Sequence, residues 1–188
     1  GNLSFSGFLY IDGDPLDIPA ILQFNEKHNL ETSVFQDTIS LYRDNLLLEN
    51  ASLFLNEKGL FAAGNFTSDY LNFMAKNIEL SSGKMIGDVV SFTNGPLLDP
   101  VSFSGESALL HYSPYDQNFL IKSTGGQIDL YNKYRFSGDL YFDGSNLNGS
   151  GSLESDAFDI QSSHYYFSKN DIMSADANFT VYDTYKNN

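Results

Sequence analysis

Apolar and polar side chains alternate along several stretches of the chain, and this pattern constrains the fold more than any other feature of the sequence. Between 134 and 143, the even-numbered positions are apolar or glycine and the odd-numbered positions are mostly polar. Residues 3–12 repeat the alternation, and so do residues 175–182, where Phe179 and Val181 are among those expected to point inward. A period of two places successive side chains on opposite faces of a strand, so each stretch is predicted to be a strand with one buried face.

The composition also favours strands. The 188 residues include 16 Phe, 12 Tyr and 15 Gly, which is typical of pleated surfaces joined by many turns. Only residues 15–25 and 70–76 leave room for a short helical turn. We expect an all-β fold: a stacked β-repeat, either solenoid-like or a folded-over β-groove, with a two-sheet β-sandwich as the alternative. Residues 1–188 are expected to form one repetitive domain, with a candidate seam between two halves near 95–100.

One internal repeat covers a complete predicted strand and its turn. Residues 5–13 (FSGFLYIDG) and 136–144 (FSGDLYFDG) are identical at seven of nine positions, and the segment 103–105 (FSG) opens a weaker third copy. The mid-strand glycine is predicted either to leave room for a neighbouring aromatic ring or to allow a bulge that bends the strand. The closing Asp-Gly predicts a turn.

A second repeat centres on the dipeptide Ser-Asp. Residues 64–73 and 151–160 share the pattern, and residues 30–35 are a partial copy. Two apolar anchors lie five residues apart in each copy, namely Leu30 and Phe35, Phe66 and Leu71, and Leu153 and Phe158. An odd separation places anchors on opposite faces of a straight strand. The middle of each copy is therefore predicted to break the strand, so that both anchors still point inward.

Charge and cysteine content exclude several classes of function. The chain carries 24 acidic and 10 basic residues, a formal net charge of −14, and no Cys. Phosphate contacts need clustered Lys and Arg, so neither nucleic acid nor an anionic membrane surface is an expected partner. Disulfides and thiolate metal sites are excluded. No apolar run approaches the roughly 20 residues of a membrane helix. The absence of Cys fits an extracytoplasmic place in a bacterium: periplasm, outer membrane or cell surface.

Candidate chemical residues are few. His28, His111 and His164 lie far apart in the sequence and at none of the familiar metal-binding spacings. No serine sits in a nucleophile elbow, so no catalytic residue is assigned, and a carboxylate pair of the kind used by glycosidases is the one enzymatic route left open.

Three carboxylates crowd a turn near the N-terminus. Asp12, Asp14 and Asp17 fall within six residues and form a candidate Ca²⁺ site, with solvated turn aspartates as the alternative interpretation. Their spacing does not match an EF-hand loop. No other cofactor is expected.

Short segments carry a family resemblance. Residues 149–158 (GSGSLESDAF) resemble the strand repeats of large cell-envelope proteins of the Bacteroidetes. Residues 105–112 (GESALLHY) resemble, more weakly, the repeats of the OstA-like lipopolysaccharide-transport family, whose strands stack into an open, folded-over β-groove. The resemblance implies an envelope location and the handling of lipid or glycan, and it transfers no functional residue.

These observations lead to a functional expectation with two alternatives. The chain is expected to be a non-catalytic envelope or surface module that scaffolds, assembles or adheres, with other envelope proteins or further β-repeats of the same chain as partners. The first alternative is a groove lined by Phe and Leu that binds an amphipathic lipid or a glycan. The second is a carbohydrate-active enzyme that uses an Asp/Glu pair.

Overall fold

The computed structural model of the protein describes residues 3–11, 14–24, 30–34, 38–56, 58–81, 83–98, 101–124, 126–169 and 171–182. Side chains are described for residues 38–53 and for the described residues from 58 onward. The described residues form sixteen strands: β1 (Leu3–Ile11), β2 (Asp14–Phe24), β3 (Leu30–Val34), β4 (Thr38–Leu41), β5 (Leu46–Asn56), β6 (Gly59–Thr67), β7 (Leu71–Ser81), β8 (Lys84–Asn94), β9 (Phe103–Ser113), β10 (Asn118–Ser123), β11 (Ile128–Leu130), β12 (Tyr134–Phe142), β13 (Leu147–Glu154), β14 (Phe158–Phe167), β15 (Ile172–Ser174) and β16 (Ala177–Val181).

All sixteen strands belong to one antiparallel sheet, which confirms the all-β prediction. Three pairs of short strands act as interrupted single strands, because both members of each pair bind the same neighbour. Strands β3 and β4 pair with β5, β10 and β11 pair with both β9 and β12, and β15 and β16 pair with β14. The described chain therefore occupies thirteen strand positions in chain order, and each position hydrogen-bonds to the next. In the described residues, no helix is both long and apolar enough to span a membrane.

A line of irregularities crosses the sheet at right angles to the strands. The pairing register slips between Phe8 and Leu9 in β1, Glu49 and Ser52 in β5, Ala62 and Gly64 in β6, Met74 and Asn77 in β7, and Gly149 and Gly151 in β13. The interrupted strands break on the same line, at 124–127 between β10 and β11 and at 175–176 between β15 and β16. Bulges increase the twist of a strand and bend it. Since the irregularities face one another across paired strands, they form a continuous crease.

The sheet folds over along this crease. Tyr112 lies in the same cross-strand row as Leu80, seven residues along β7 from Phe73. In a flat sheet that separation is about 23 Å. The rings of Phe73 and Tyr112 nevertheless lie 6.2 Å apart, centroid to centroid. Tyr70 and Phe142, from opposite rims, stack at 4.9 Å. The two halves of each strand therefore belong to two facing layers.

The core lies between these layers. The even-numbered side chains Phe136, Leu140 and Phe142 are buried, as the alternation predicts, and Phe136 packs across the crease at 5.8 Å from Tyr165 and 5.7 Å from Phe167. The candidate seam near 95–100 joins β8 to β9, and these strands pair along most of their length. The sheet is therefore continuous across that loop.

The strand breaks at the Ser-Asp dipeptide in the copies at 64–73 and 151–160, as predicted. Ser68 Oγ accepts a hydrogen bond from the Leu71 amide at 3.0 Å and donates one to the Leu71 carbonyl at 2.7 Å. Ser155 Oγ accepts one from the Phe158 amide at 3.2 Å. In each case the chain reverses into a hairpin. The prediction is wrong for the partial copy at 30–35, because β3 runs through Leu30–Val34 without a break; residue 35 lies outside the described residues.

The prediction of short helical turns at 15–25 and 70–76 is also wrong. Residues 15–24 lie in β2, residues 71–76 lie in β7, and residue 25 falls outside the described part of the chain. Pairing on both sides holds each segment extended, which overrides local preference. The one helical element among the described residues is a 3-10 turn at Pro96–Leu98.

Candidate functional site

The C-terminal edge of the sheet is the first candidate site. Among the described residues, β16 pairs only with β14, so the backbone groups along its other side have no strand partner. Residues 177–182 (ANFTVY) contain no charged side chain and no proline. Edge strands in natural proteins are usually protected by Lys, Pro or a bulge because an unprotected edge is a template for pairing with another chain. Strand β16 contains neither Lys nor Pro, and its side that faces away from β14 is therefore a candidate for strand addition.

Strands β11 and β16 occupy equivalent positions but differ sharply in exposure. Ile128 and Leu130 of β11 are 1% and 0% exposed, whereas Phe179 and Val181 of β16 are 68% and 70% exposed. Both pairs lie on the inner face of the sheet. The prediction that Phe179 and Val181 are buried is wrong. Strand β11 has a neighbour on both sides, β9 and β12, whereas β16 has β14 on one side and no described strand on the other. The exposed apolar pair makes this edge a candidate contact surface.

A repeat that the sequence analysis missed relates the two strands. Residues 127–135 (QIDLYNKYR) and 178–186 (NFTVYDTYK) share the order amide, apolar, polar, apolar, Tyr, two polar residues, Tyr and a basic residue. The backbone hydrogen bonds of the aligned tyrosines are equivalent. The Tyr131 amide donates to the Ser102 carbonyl at 2.7 Å, and the Tyr182 amide donates to the Ala157 carbonyl at 3.0 Å. The 51-residue offset between the two tyrosines was the available signal in the sequence.

A carboxylate fixes the break between β15 and β16. Asp176 Oδ1 accepts hydrogen bonds from Ser162 Oγ at 3.0 Å and from the Ser163 amide at 3.2 Å, and Oδ2 accepts one from Ser163 Oγ at 2.5 Å. The hydroxyls of Ser163 and Ser162 hold the pKa of Asp176 below its ordinary value. The start of β16 is therefore anchored to β14 at the crease.

A groove of about 900 Å³ is the second candidate site. It lies on the outer face of β6 to β9 and is bounded by the loop between β10 and β11, which Thr124 holds to the Ser107 carbonyl at 2.9 Å. Its rows of outward side chains follow the pairing register from strand to strand. They include Asn65, Thr67, Asn72, Met74, Ser91, Thr93, Ser104, Glu106, Gln127 and Asp129.

The polar part of the groove lining consists of hydroxyl, amide and carboxylate groups, and an apolar part of similar extent includes Phe66, Phe73, Met74 and Phe92. Glu106 and Asp129 lie on adjacent strands, and both are exposed. No basic side chain lines the groove within the described residues. Such a lining can hydrogen-bond a neutral ligand rich in hydroxyls and repels an anionic one.

The residues predicted to bind metal are only partly described. Asp12 and His28 lie outside the described residues, as do the side chains of Asp14 and Asp17, whose backbones belong to β2. The Ca²⁺ site therefore stays a prediction. His111 and His164 are exposed on β9 and β14, and no group of three or more metal-binding side chains occurs in the part of the chain whose side chains are described.

No family model, no curated protein and no solved structure matches the chain. The described residues accordingly define the class of protein by architecture alone, an antiparallel sheet folded over along a crease.

Proposed function

We propose that the protein is a non-catalytic structural module that assembles by accepting a β-strand at its C-terminal edge. The observation that carries this proposal is the exposure of Phe179 and Val181, at 68% and 70%, on a sheet face that is buried in the equivalent strand β11. Covering two large apolar side chains while pairing the free backbone groups of β16 favours association, and the hydrophobic part is worth roughly 1.5–3 kcal/mol per side chain.

The proposed place of action is extracytoplasmic: the periplasm, the outer membrane or the cell surface. The amino-acid composition and the fold support this location. The chain has no Cys, so it needs no control of its redox state, and it folds through a continuous sheet. The resemblance of residues 149–158 to envelope strand repeats points the same way.

Self-association tests the assembly proposal, because a second copy is itself an available β-sheet partner. Sedimentation velocity should be measured over an about hundredfold range of protein concentration, and the average mass should increase with concentration. The double variant Phe179→Lys with Val181→Lys should remain monomeric, since a charged inner face cannot be covered without desolvating the ammonium groups.

A matched control keeps this test specific. Leu97 is a large apolar residue, 58% exposed, in the 3-10 turn far from the edge, and Leu97→Lys should associate like the wild type. Wild-type protein that stays monomeric throughout, or a double variant that associates equally well, would refute the proposal.

The outer groove supports a second candidate function, the binding of a neutral glycan segment. The supporting observation is its lining of hydroxyl and amide groups on neighbouring strands. The lipid form of this alternative has less support, because the described Phe and Leu side chains between the layers are buried against one another. Titration with neutral oligosaccharides, followed by NMR shifts of the Asn65, Asn72 and Thr93 amides, would test it, and unchanged spectra would count against it.

The enzymatic alternative requires an Asp/Glu pair, and Glu106 and Asp129 are the two carboxylates that line the groove. A general acid usually lies in a water-poor pocket that raises its pKa, whereas both of these carboxylates are exposed. Glycosidase activity that disappears in both Glu106→Gln and Asp129→Asn would establish it over the assembly proposal.

A further inference from the structure

We infer that the strand accepted by β15 and β16 is β1 of a second copy, aligned as β12 is aligned on β10 and β11. This inference rests on the proposed assembly function and adds the partner, the strand and the register. The contact would continue the strand order of one copy into the next.

The first step is the equivalence of β1 and β12. Their sequences belong to the repeat in which 5–13 matches 136–144 at seven of nine positions. Each strand is followed by an antiparallel partner in a hairpin, β2 after β1 and β13 after β12. On its other side β12 pairs with β10 and β11, whereas β1 has no second partner among the described strands. The edge of β1 that has no described partner is therefore the edge that β12 uses to bind an interrupted strand.

The second step is the equivalence of the interrupted strands. Strands β10 and β11 lie beside β9, and β15 and β16 lie beside β14, with the break at the crease in both cases. The registers agree: Leu130 faces Phe103 as Val181 faces Phe158, and Phe119 faces Tyr112 as Ile172 faces Phe167. Both intervals along the long strand are nine residues, from 103 to 112 and from 158 to 167.

These two equivalences fix the register between copies. Within the chain, Ile128 faces Phe136 and Phe119 faces Phe142. Phe136 and Phe142 correspond to Phe5 and Ile11 in the repeat, while Ile128 and Phe119 correspond to Phe179 and Ile172. We therefore expect Phe5 of one copy to face Phe179 of the next, and Ile11 to face Ile172.

The proposed contact joins two different edges, and its symmetry and charge determine whether the assembly can grow. A contact between two different edges is head-to-tail, so it leaves one β1 edge and one β16 edge free and permits further growth. Residues 3–11 and 177–182 contain no charged side chain, so the paired strands themselves do not repel. The net charge of −14 on each copy opposes association as a whole, and salt that screens it should favour growth.

Disulfide trapping tests the register directly, because the chain has no Cys of its own. Phe5→Cys and Phe179→Cys are made as separate variants, mixed in equal amounts and oxidised gently. Facing residues of an antiparallel pair have a Cα separation that a disulfide can bridge. We expect the mixed 5–179 disulfide to form at least about tenfold faster than the mixed disulfide from Phe5→Cys with Thr180→Cys, whose side chain lies on the opposite face.

The outcomes separate this inference from the proposed function. A disulfide formed mainly between two Phe179→Cys copies would show β16 pairing with itself; the assembly function would stand and the β1 partner would be wrong. Equal rates for the 5–179 and 5–180 pairs would overturn the register. No disulfide, in protein that also sediments as a monomer, would overturn both the inference and the proposed function.

Discussion

Two glycines show at the residue scale how a strand crosses the crease. Gly138 and Gly151 face each other in the pairing of β12 with β13, at φ of +151° and +145°. A Cβ on Gly138 would lie 2.0 Å from the Ser150 carbonyl oxygen, and one on Gly151 would lie 2.1 Å from that of Ser137. Two backbones pass so closely here that neither position accepts a side chain.

Gly138→Ala should therefore destabilise the protein by about 3 kcal/mol, since backbone strain and overpacking add together. Gly59→Ala is the control: its φ is also positive, at +139°, but the nearest atom to an added Cβ is Glu79 Oε1 at 3.8 Å. We expect a loss of about 1 kcal/mol there, from strain alone. Urea denaturation measures both, and equal losses would show that crowding at the crease is unimportant.

At the scale of elements, the strands cross the crease in two ways. Strands β5 and β7 insert an extra residue, so the spacing of inward side chains changes from two to an odd number, as from Ala75 to Ile78. Strand β12 keeps even spacing and bends at Gly138. In each case the inner face stays apolar on both sides of the crease.

This difference explains which strands could be predicted from the sequence. Strand β12 was predicted correctly because its alternation is unbroken. Strand β7 looked ambiguous because its bulge places Leu71, Met74, Ala75 and Ile78 at helical spacing, although only cross-strand pairing decides the backbone. Short windows of sequence do not reveal a bulge, since one inserted residue shifts the phase of alternation.

Alternation also could not reveal the candidate edge. It correctly placed Phe179 on the inner face, but it does not say whether a strand or a layer covers that face. Coverage depends on whether a further strand pairs with β16, which is a property of topology and not of alternation. The repeat shared by 127–135 and 178–186 was the one sequence signal that could have identified the edge.

The packing of the two layers gives a prediction at the element scale. Phe136 is fully buried and contacts Tyr165 and Phe167 from the facing layer. Phe136→Ala should cost about 3–5 kcal/mol in free energy of unfolding, because it leaves a cavity between the layers. Phe179→Ala, at a side chain that is 68% exposed, should leave the unfolding of the monomer nearly unchanged. Similar losses at both positions would contradict the folded-over packing.

The described residues form one sheet that is folded over along its crease, and β1 and β16 each lack a second strand partner among the described strands. Thirteen strand positions follow chain order in the described residues, so adding one more strand at either end changes little inside the molecule. In the proposed assembly, the net charge of −14 opposes association at low salt, while β1 and β16, which contain no charged side chain, form the contact. The proposed assembly would continue the strand order of one copy into the next.

Hydrogen exchange at two protein concentrations tests this central claim most directly. At low concentration, the outward amides of β16 should exchange rapidly, because among the described strands they have no partner. At high concentration, protection should rise in 177–181, while the amides of 128–130, already paired on both sides, should not change. Exchange in 177–181 that is the same at both concentrations would contradict assembly through this edge.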